Sequence, residues 1–541
     1  MNPLLQCATR YRRFPLIMFL AVGPLSSGTA QGTTAIPAAP FRGTLSLGDR
    51  VVPIQIRGSQ TAEPRFQIAA PVGMDDSTSR PMRRDPHGDT LLAVAPGFGD
   101  TLRFATRLEG ESLRGTIRVG QQTGTFALHR VVDLTLEVIK PRVGNYRLDD
   151  GALFSVGGGE NAFDGLTYIH FGTGRTGSLF AVDSTRFVAG PRRYDTDPVT
   201  FTVQFDPGDR ILISSPDGKR SRGSRTVLYR EQDVTFPSTG GVQLAGTYTV
   251  PTTPGPHPAV IMLHGSDPHY RFRGNVVTFF ASRGIAVLSW DKRGNFRSGG
   301  SFATATIDTF AADGAAAIRW LRARSEIDPT RVGVWGISQG GWPASVLAAH
   351  DSSLAFVILH AGSSLTPAVQ GEDEMRMRVI ESGGTQGDMD DLLAYYRQYL
   401  DLLRGRTTRE SLDEIYRALR EKGNRYIWPP SVATSARERW QAGINDFDPV
   451  PNWSTARVPV LAMFGEFDGY VPPETNVPVL RAAFARSGNR DTTIVVFRNA
   501  NHRFEESSRR ISRDWVIGSR YLPEYYTTMA AWLDRRVTGK R

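Results

Sequence analysis

Between Phe41 and about Arg230 the apolar residues keep a period of two. In "TLRFATRLEGESLRGTIRVGQQTGTFALHRV" they fall at alternate positions, and Gly110 and Gly120 to Gly124 interrupt them. A period of two puts one face of a pleated strand on a core, and glycines at the breaks supply turns. The pattern therefore predicts a meander of antiparallel strands. No run in this region keeps a helical period. A change of composition near Lys140-Pro141 points to two small β units.

After Glu231 the pattern changes. Apolar runs of strand length now follow one another: "AVIMLHG" (259–265), "IAVLSWD" (285–291), "RVGVWG" (331–336), "LAFVILHAG" (354–362), "VPVLAMFGE" (458–466) and "TTIVVFRNA" (492–500). Stretches of helical period separate them, such as 307–324. Strands apolar on both faces, joined by crossover helices, predict a doubly wound, mostly parallel sheet. Between about 371 and 452 the alternation stops. "MDDLLAYYRQYLDLLRG" and "RESLDEIYRALREKG" are amphipathic helices. A helical insertion between two core strands is expected to cap the sheet's C-terminal edge and to wall a pocket there. No repeat period appears along the chain.

With 541 residues the chain exceeds what one core holds. Its expected parts are a signal peptide (1–30), a linker (31–40), a β-rich N-terminal domain (41–231, splitting near 140) and an α/β domain (232–541) with the helical cap. The signal rests on Arg10, Arg12 and Arg13 before the apolar run "FPLIMFLAVGPL" (14–25), with small residues Gly28 and Ala30 ahead of a cleavage point at Gln31. The run is too short to span a bilayer comfortably. The expectation is a secreted or periplasmic protein with no stable membrane insertion after processing. Processing removes Cys7, the single cysteine, and lowers the net charge from +10 to +7. No disulfide and no thiolate metal site then remain open to it. The basic balance does not imply a nucleic-acid partner, because the arginines are scattered and no recognition motif accompanies them. Their densest cluster, "GKRSRGSR" (218–225), reads as an exposed turn.

The candidate chemistry lies in "RVGVWGISQGGWPASVLAAH", which reads as a strand, a tight turn and a helix. Gly336-Ile337-Ser338-Gln339-Gly340 fits G-x-S-x-G. A serine on a strained turn needs small residues two positions away on each side. A Gly-rich turn with a surface serine fits the same five letters, so the context matters. Ligands bind at strand ends in such sheets. Asp468 follows a strand in "GEFDGYVP" (465–472), and His502 follows the last strand in "NANHRF". A serine hydroxyl needs an imidazole to take its proton and a carboxylate to orient that imidazole, and the order Ser, Asp, His at three strand ends supplies them. Asp468 beside Gly469 also fits a simple turn, and His502 also fits a surface loop. Glu466 is a competing acid on the same loop.

"LHGSDP" (263–268) adds a Gly after a strand. The backbone N–H groups of Ser266 and Gln339 are the candidates for an oxyanion hole. Asp291 and Arg293 in "WDKRG" are expected to brace a loop by pairing, and His264, His269 and His360 to satisfy turns. No His/Asp/Glu spacing suits a metal, and no cofactor is implied. Tyr395, Tyr396, Tyr399, Trp428 and Trp440 fit either an acyl pocket or ordinary helix packing.

On these motifs the chain resembles the α/β-hydrolase superfamily. More narrowly, it resembles bacterial serine hydrolases related to prolyl oligopeptidases and the dienelactone-hydrolase-like group of secreted esterases. The matching stretches are "VIMLHGSDP", "GIAVLSWDKRGNFRSGG", "IDPTRVGVWGISQGGWPAS", "VPVLAMFGEFDGYVP" and "ANHRF", spanning about 242–535 with the cap unmatched. The resemblance implies Ser338 as nucleophile, Asp468 as acid and His502 as base. Its acid stands in a Gly-x-x-Asp-x-x-Val-Pro pattern, which Gly465, Asp468, Val471 and Pro472 match. Ile337 departs from the histidine or tryptophan of many relatives, and Asp267 and Asn295 stand where glycine is common.

The function so implied is hydrolysis of carboxylic esters through a Ser-His-Asp triad and an acyl-enzyme, on a small-molecule ester or a short peptide. An aminopeptidase-like or acylaminoacyl-peptidase-like serine peptidase is the alternative. A third reading is a secreted binding protein with an inactive hydrolase domain. A propeller-gated peptidase needs roughly seven blades of 40–45 residues ahead of the hydrolase, more than 41–231 provides.

Overall fold

The computed structural model describes residues 36–539 apart from 48–49, 69–78, 87–89, 95–100, 159–165, 190–198, 267–268, 273, 381–382, 431–442, 508–509 and 511–520. The expected signal segment, Asp267 and Trp440 lie outside the described residues. The chain forms two compact units, one built on 36–227 with 521–523 and the other on 228–514 with 524–539.

Among its described residues the first unit is all β apart from one helical passage. Its first half is a nine-stranded antiparallel sheet running from Pro40–Leu47 to Gln122–Arg130. The two edge strands, Arg80–Pro81 and Arg83–Arg84, are separated by Met82 alone. The sheet therefore curls until one short segment serves both edges, and Met82 is fully buried with Phe41, Ile54, Phe66 and Phe104. Leu136–Ile139 and Lys140–Arg142 form single helical turns. The second half is a closed barrel of eight strands, from Gly144–Leu148 to Arg220–Thr226, in which Asn145 pairs with Thr226 to join the first strand to the last. Aromatic side chains fill it: Phe154 stacks on Tyr168 at 5.5 Å, and Tyr168 meets Phe201 edge-on at 4.9 Å. Closure leaves no strand edge unpaired.

One expectation fails here. The cluster "GKRSRGSR" is not a turn beyond Gly218 and Lys219; Arg220–Thr226 is the strand that closes the barrel. Its inward position is held by Gly223, where an added Cβ would lie 2.8 Å from the Leu148 side chain. Arg220 and Arg222 take the outer face, and Arg225, on the side of Gly223, lies over the Tyr146 ring at 5.0 Å, so no apolar alternation marks the strand.

The second unit is an eight-stranded sheet. Its strands are β1 (Tyr229–Pro237), β2 (Gln243–Pro251), β3 (His257–Leu263), β4 (Ala286–Trp290), β5 (Ile327–Ile337), β6 (Val357–His360), β7 (Val460–Gly465) and β8 (Thr492–Phe497). Their order across the sheet is β1-β2-β4-β3-β5-β6-β7-β8. β1 and β2 pair antiparallel, as do β2 and β4, and β3 to β8 pair parallel. Every residue of β3, β4, β6 and β7 is buried. This is why they read as continuous apolar runs rather than alternation.

Helices α1 (Asn275–Ser282), α2 (Ile307–Arg322) and α3 (Gly341–His350) follow β3, β4 and β5. Between β6 and β7 stand α4 (Pro367–Ile380), α5 (Gln386–Leu403) and α6 (Arg409–Glu421). Capping boxes at Thr306 and Thr385 start α2 and α5. α4 to α6 have a core of their own that includes Val379, Leu392, Leu400 and Leu412. Tyr395 and Tyr396 belong to it, and the Tyr395 hydroxyl donates to the Trp428 carbonyl at 2.7 Å. These aromatics pack the insertion. α4 is tied to the main body where the Thr475 hydroxyl donates to Asp373 at 3.0 Å.

Candidate active site

β5 ends in a sharp turn with Ser338 at its apex. The Ser338 φ is +52°, in the left-handed region that costs a side-chain-bearing residue of order 1 kcal/mol or more. The glycines around it make that turn possible. A Cβ on Gly336 would sit 2.7 Å from the Gly340 carbonyl oxygen, and one on Gly340 would sit 2.7 Å from that of Leu263. A Cβ on Gly341 would come within 2.8 Å of Gly362 Cα. The G-x-S-x-G spacing is thus a packing requirement between the end of β5, the start of α3 and the end of β3. Ser338 itself stays half-exposed.

Asp468 lies three residues beyond β7 and His502 five residues beyond β8, on the same edge of the parallel sheet as Ser338. The Asp468 carboxylate is fully buried. Its Oδ1 accepts the N–H groups of Tyr470 and Val471, each at 2.8 Å, and its Oδ2 meets His502 Nδ1 at 2.7 Å. A carboxylate only accepts, so Nδ1 carries a proton, and in the neutral ring the lone pair is then on Nε2. Asn501 shapes the histidine loop, its Oδ1 accepting from the N–H groups of Arg503 and Glu505. Glu466 turns elsewhere and accepts the Asn499 N–H at 2.9 Å. Of the two carboxylates on this loop, Asp468 is the one against the imidazole. Among the described residues no hydrogen bond joins the Ser338 hydroxyl to His502. Such bonds often tighten only when substrate is bound.

The loop after β3 passes close to the serine, since a Cβ on Gly265 would lie 3.7 Å from Ser338 Cβ. Ser266 is exposed, and its N–H has no protein acceptor among the described residues. Gln339 is buried, directly after Ser338. His264 Nε2–H donates to the Trp290 carbonyl at 2.7 Å, and the ring stacks on Phe272 at 5.2 Å. Burial lowers its pKa to about 3, helped by the nearby Lys292 charge, so it is neutral. His360 contacts the Tyr525 hydroxyl through Nδ1 at 2.9 Å, and burial likewise holds its pKa well below the usual value.

The loop after β4 buries three consecutive charges. Asp291 takes both arms of Arg271 at 2.9 and 2.8 Å, and Arg293 pairs with Asp313. Between them Lys292, 2% exposed, donates to the Gly265 carbonyl at 2.7 Å and to Gln339 Oε1 at 2.6 Å. The bracing by Asp291 and Arg293 was legible from "WDKRG". The inward lysine was not, because a charge flanked by charges reads as a solvated loop. Among the described residues no group of three or more His, Cys, Asp or Glu is arranged to hold a metal ion.

A sheet in this strand order with a serine elbow after β5 defines an α/β-hydrolase of the serine-hydrolase class. More particularly, the chain belongs to the X-Pro dipeptidyl-peptidase (S15) family, whose profile matches residues 211–502. It is similar to an uncharacterised protein of Mycobacterium tuberculosis, 31% identical over 156 residues, or 29% of this chain and 54% of that protein. The chain thus spans about half the length of that relative. It is also similar to the esterase EstD of Thermotoga maritima, 23% identical over 328 residues, or 56% of this chain and 71% of EstD. A solved esterase of Pyrococcus furiosus aligns with 57% of this chain and 92% of its own, at 16% identity and a TM-score of 0.38.

Proposed function

We propose that this protein hydrolyses carboxylic esters through an acyl-enzyme, with Ser338 as nucleophile, His502 as general base and Asp468 as its orienting acid. The observation that carries the reading is the Asp468–His502 hydrogen bond at the strand edge that also bears the strained serine. Ser338 Oγ attacks the ester carbonyl carbon while its proton passes to His502 Nε2. The carbonyl oxygen, now negative, accepts the N–H groups of Ser266 and Gln339. Collapse expels the alcohol, which takes the proton back from His502, and water repeats the cycle on the acyl-serine. Asp468 holds the imidazole in the accepting tautomer and stabilises the imidazolium.

The family's name favours a second reading, release of Xaa-Pro dipeptides from peptide substrates. The ester reading is preferred because the longer-covered relative is named an esterase and the described N-terminal unit is a nine-stranded sheet and a closed barrel rather than a ring of four-stranded propeller blades. The purified protein should be assayed against acyl esters of graded chain length beside Xaa-Pro amides. Faster turnover of the amides would reverse the choice. A fluorophosphonate probe should label the wild type and not Ser338→Ala; equal labelling of both would refute the nucleophile.

We also propose export to the periplasm or beyond, with loss of the first ~30 residues, on the strength of the arginines and short apolar run at 10–25. N-terminal sequencing of the protein from its host tests this. A chain still beginning near Met1 would refute it.

A further inference from the structure

Among the described residues the Lys292 ammonium reaches acceptors on two different loops, each in a residue beside Ser338. One is the carbonyl of Gly265, at 2.7 Å; the other is the side-chain oxygen of Gln339, at 2.6 Å. The rings of Phe302 and Phe310, at 5.0 and 4.8 Å, flank the ammonium. The lysine's own N–H donates to the His269 carbonyl at 3.0 Å, which ties its loop to the far end of the β3 loop.

The geometry of these contacts has a direction. In a planar trans peptide the C=O and N–H point opposite ways. An ammonium on the Gly265 carbonyl therefore turns the Ser266 N–H away from itself. Gln339 directly follows the serine, so fixing its side chain steadies the residue whose N–H is the second donor.

We infer that Lys292 is a positioning residue for the oxyanion hole, one buried ammonium clamping both donor-bearing residues from behind. This rests on the proposed role of Ser338. The charge adds to the clamp. Ammonium, peptide and developing oxyanion form a chain of hydrogen bonds that polarise in one sense, and the chain strengthens as negative charge grows on the oxygen. Its benefit belongs to the tetrahedral state and so to kcat rather than KM.

Lys292→Met keeps the length and the apolar stem and removes the ammonium. Active sites are titrated first with a fluorophosphonate. The kcat and KM per titrated site are then measured on an acyl ester, with inhibition by an alkyl trifluoromethyl ketone, whose adduct with serine carries the oxyanion. The expected result is a kcat lower by about 10–100-fold, ketone affinity lower by a similar factor, and KM within about threefold. Wild-type kcat and ketone affinity per titrated site would overturn the proposal, and a fall in melting temperature alone would then mark Lys292 as merely structural. Should Lys292→Met fail to fold, Gln339→Leu carries the test: it removes one clamped acceptor and should lower kcat and ketone affinity together, and unchanged values would overturn the clamp. Labelling of Ser338→Ala at the wild-type level would instead defeat the nucleophile assignment, whatever the Lys292 variants do.

Discussion

Replacing Asp468 by Asn tests the acid assignment at a single atom. Asp468 Oδ1 serves two backbone N–H groups and Oδ2 serves one imidazole N–H. An asparagine keeps most of these contacts by leaving its oxygen on Tyr470 and Val471 and turning its NH₂ towards His502. That NH₂ donates, so it holds His502 with the proton on Nε2, the tautomer that cannot accept from Ser338. The charge is lost as well. With centres about 4 Å apart, carboxylate and imidazolium attract by about 4 kcal/mol at an effective dielectric of 20, close to 10³ in rate. The two effects overlap because both act on the same proton transfer, so kcat should fall by about 10³–10⁴ with little change in KM. Glu466→Gln leaves the imidazole untouched, since Glu466 accepts from Asn499, and should cost about tenfold or less. Initial rates on a chromogenic acyl ester, at several pH values, measure both. A mild loss in Asp468→Asn beside a severe one in Glu466→Gln would refute the reasoning.

Gly340→Ala places a Cβ 2.7 Å from the Leu263 carbonyl oxygen, which is backbone and has little room to yield. It should destabilise the unit by about 1–3 kcal/mol and lower kcat at least tenfold; a wild-type melting temperature with full activity would contradict the packing account. His264 makes the fold acid-sensitive. Its folded pKa is about 3 against about 6.5 unfolded, so below pH 6.5 the unfolded chain binds a proton that the folded chain refuses. The stability contribution is complete above pH 6.5 and is lost as pH falls, by about 2–3 kcal/mol at pH 4.5. Urea unfolding from pH 7 to 4.5 should show a shallower decline for His264→Gln than for wild type, and equal slopes would refute the account.

The sequence alone determined what local spacing can carry. Fully buried strands announce themselves as unbroken apolar runs, because both faces must be apolar, and β3, β4, β6 and β7 were legible for that reason. The serine elbow was legible because its glycines answer to steric contacts within a few residues. Asp468 and His502 were found as residues just past strand ends. Their direct hydrogen bond, and the turning of Glu466 to Asn499, depend on how two loops 34 and 33 residues apart in sequence come together.

Other features belong to tertiary structure entirely. Closure of the eight-stranded barrel depends on pairing Asn145 with Thr226, and nothing in either strand names its partner. The closing strand hides its nature because Gly223 and Arg225 fall on its inner side while Arg220 and Arg222 take the outer face. Tyr395 and Tyr396 fitted packing, the commoner role for aromatics at helical spacing, or a pocket, and the insertion's helices folded on each other and buried both. Lys292 is the clearest case. A lysine between an aspartate and an arginine reads as solvated loop, yet the two flanking ion pairs pull the loop into the interior and leave its ammonium to carbonyl oxygens behind the serine. Burial of a charge is decided by what surrounds it in space, and the sequence records only its neighbours along the chain.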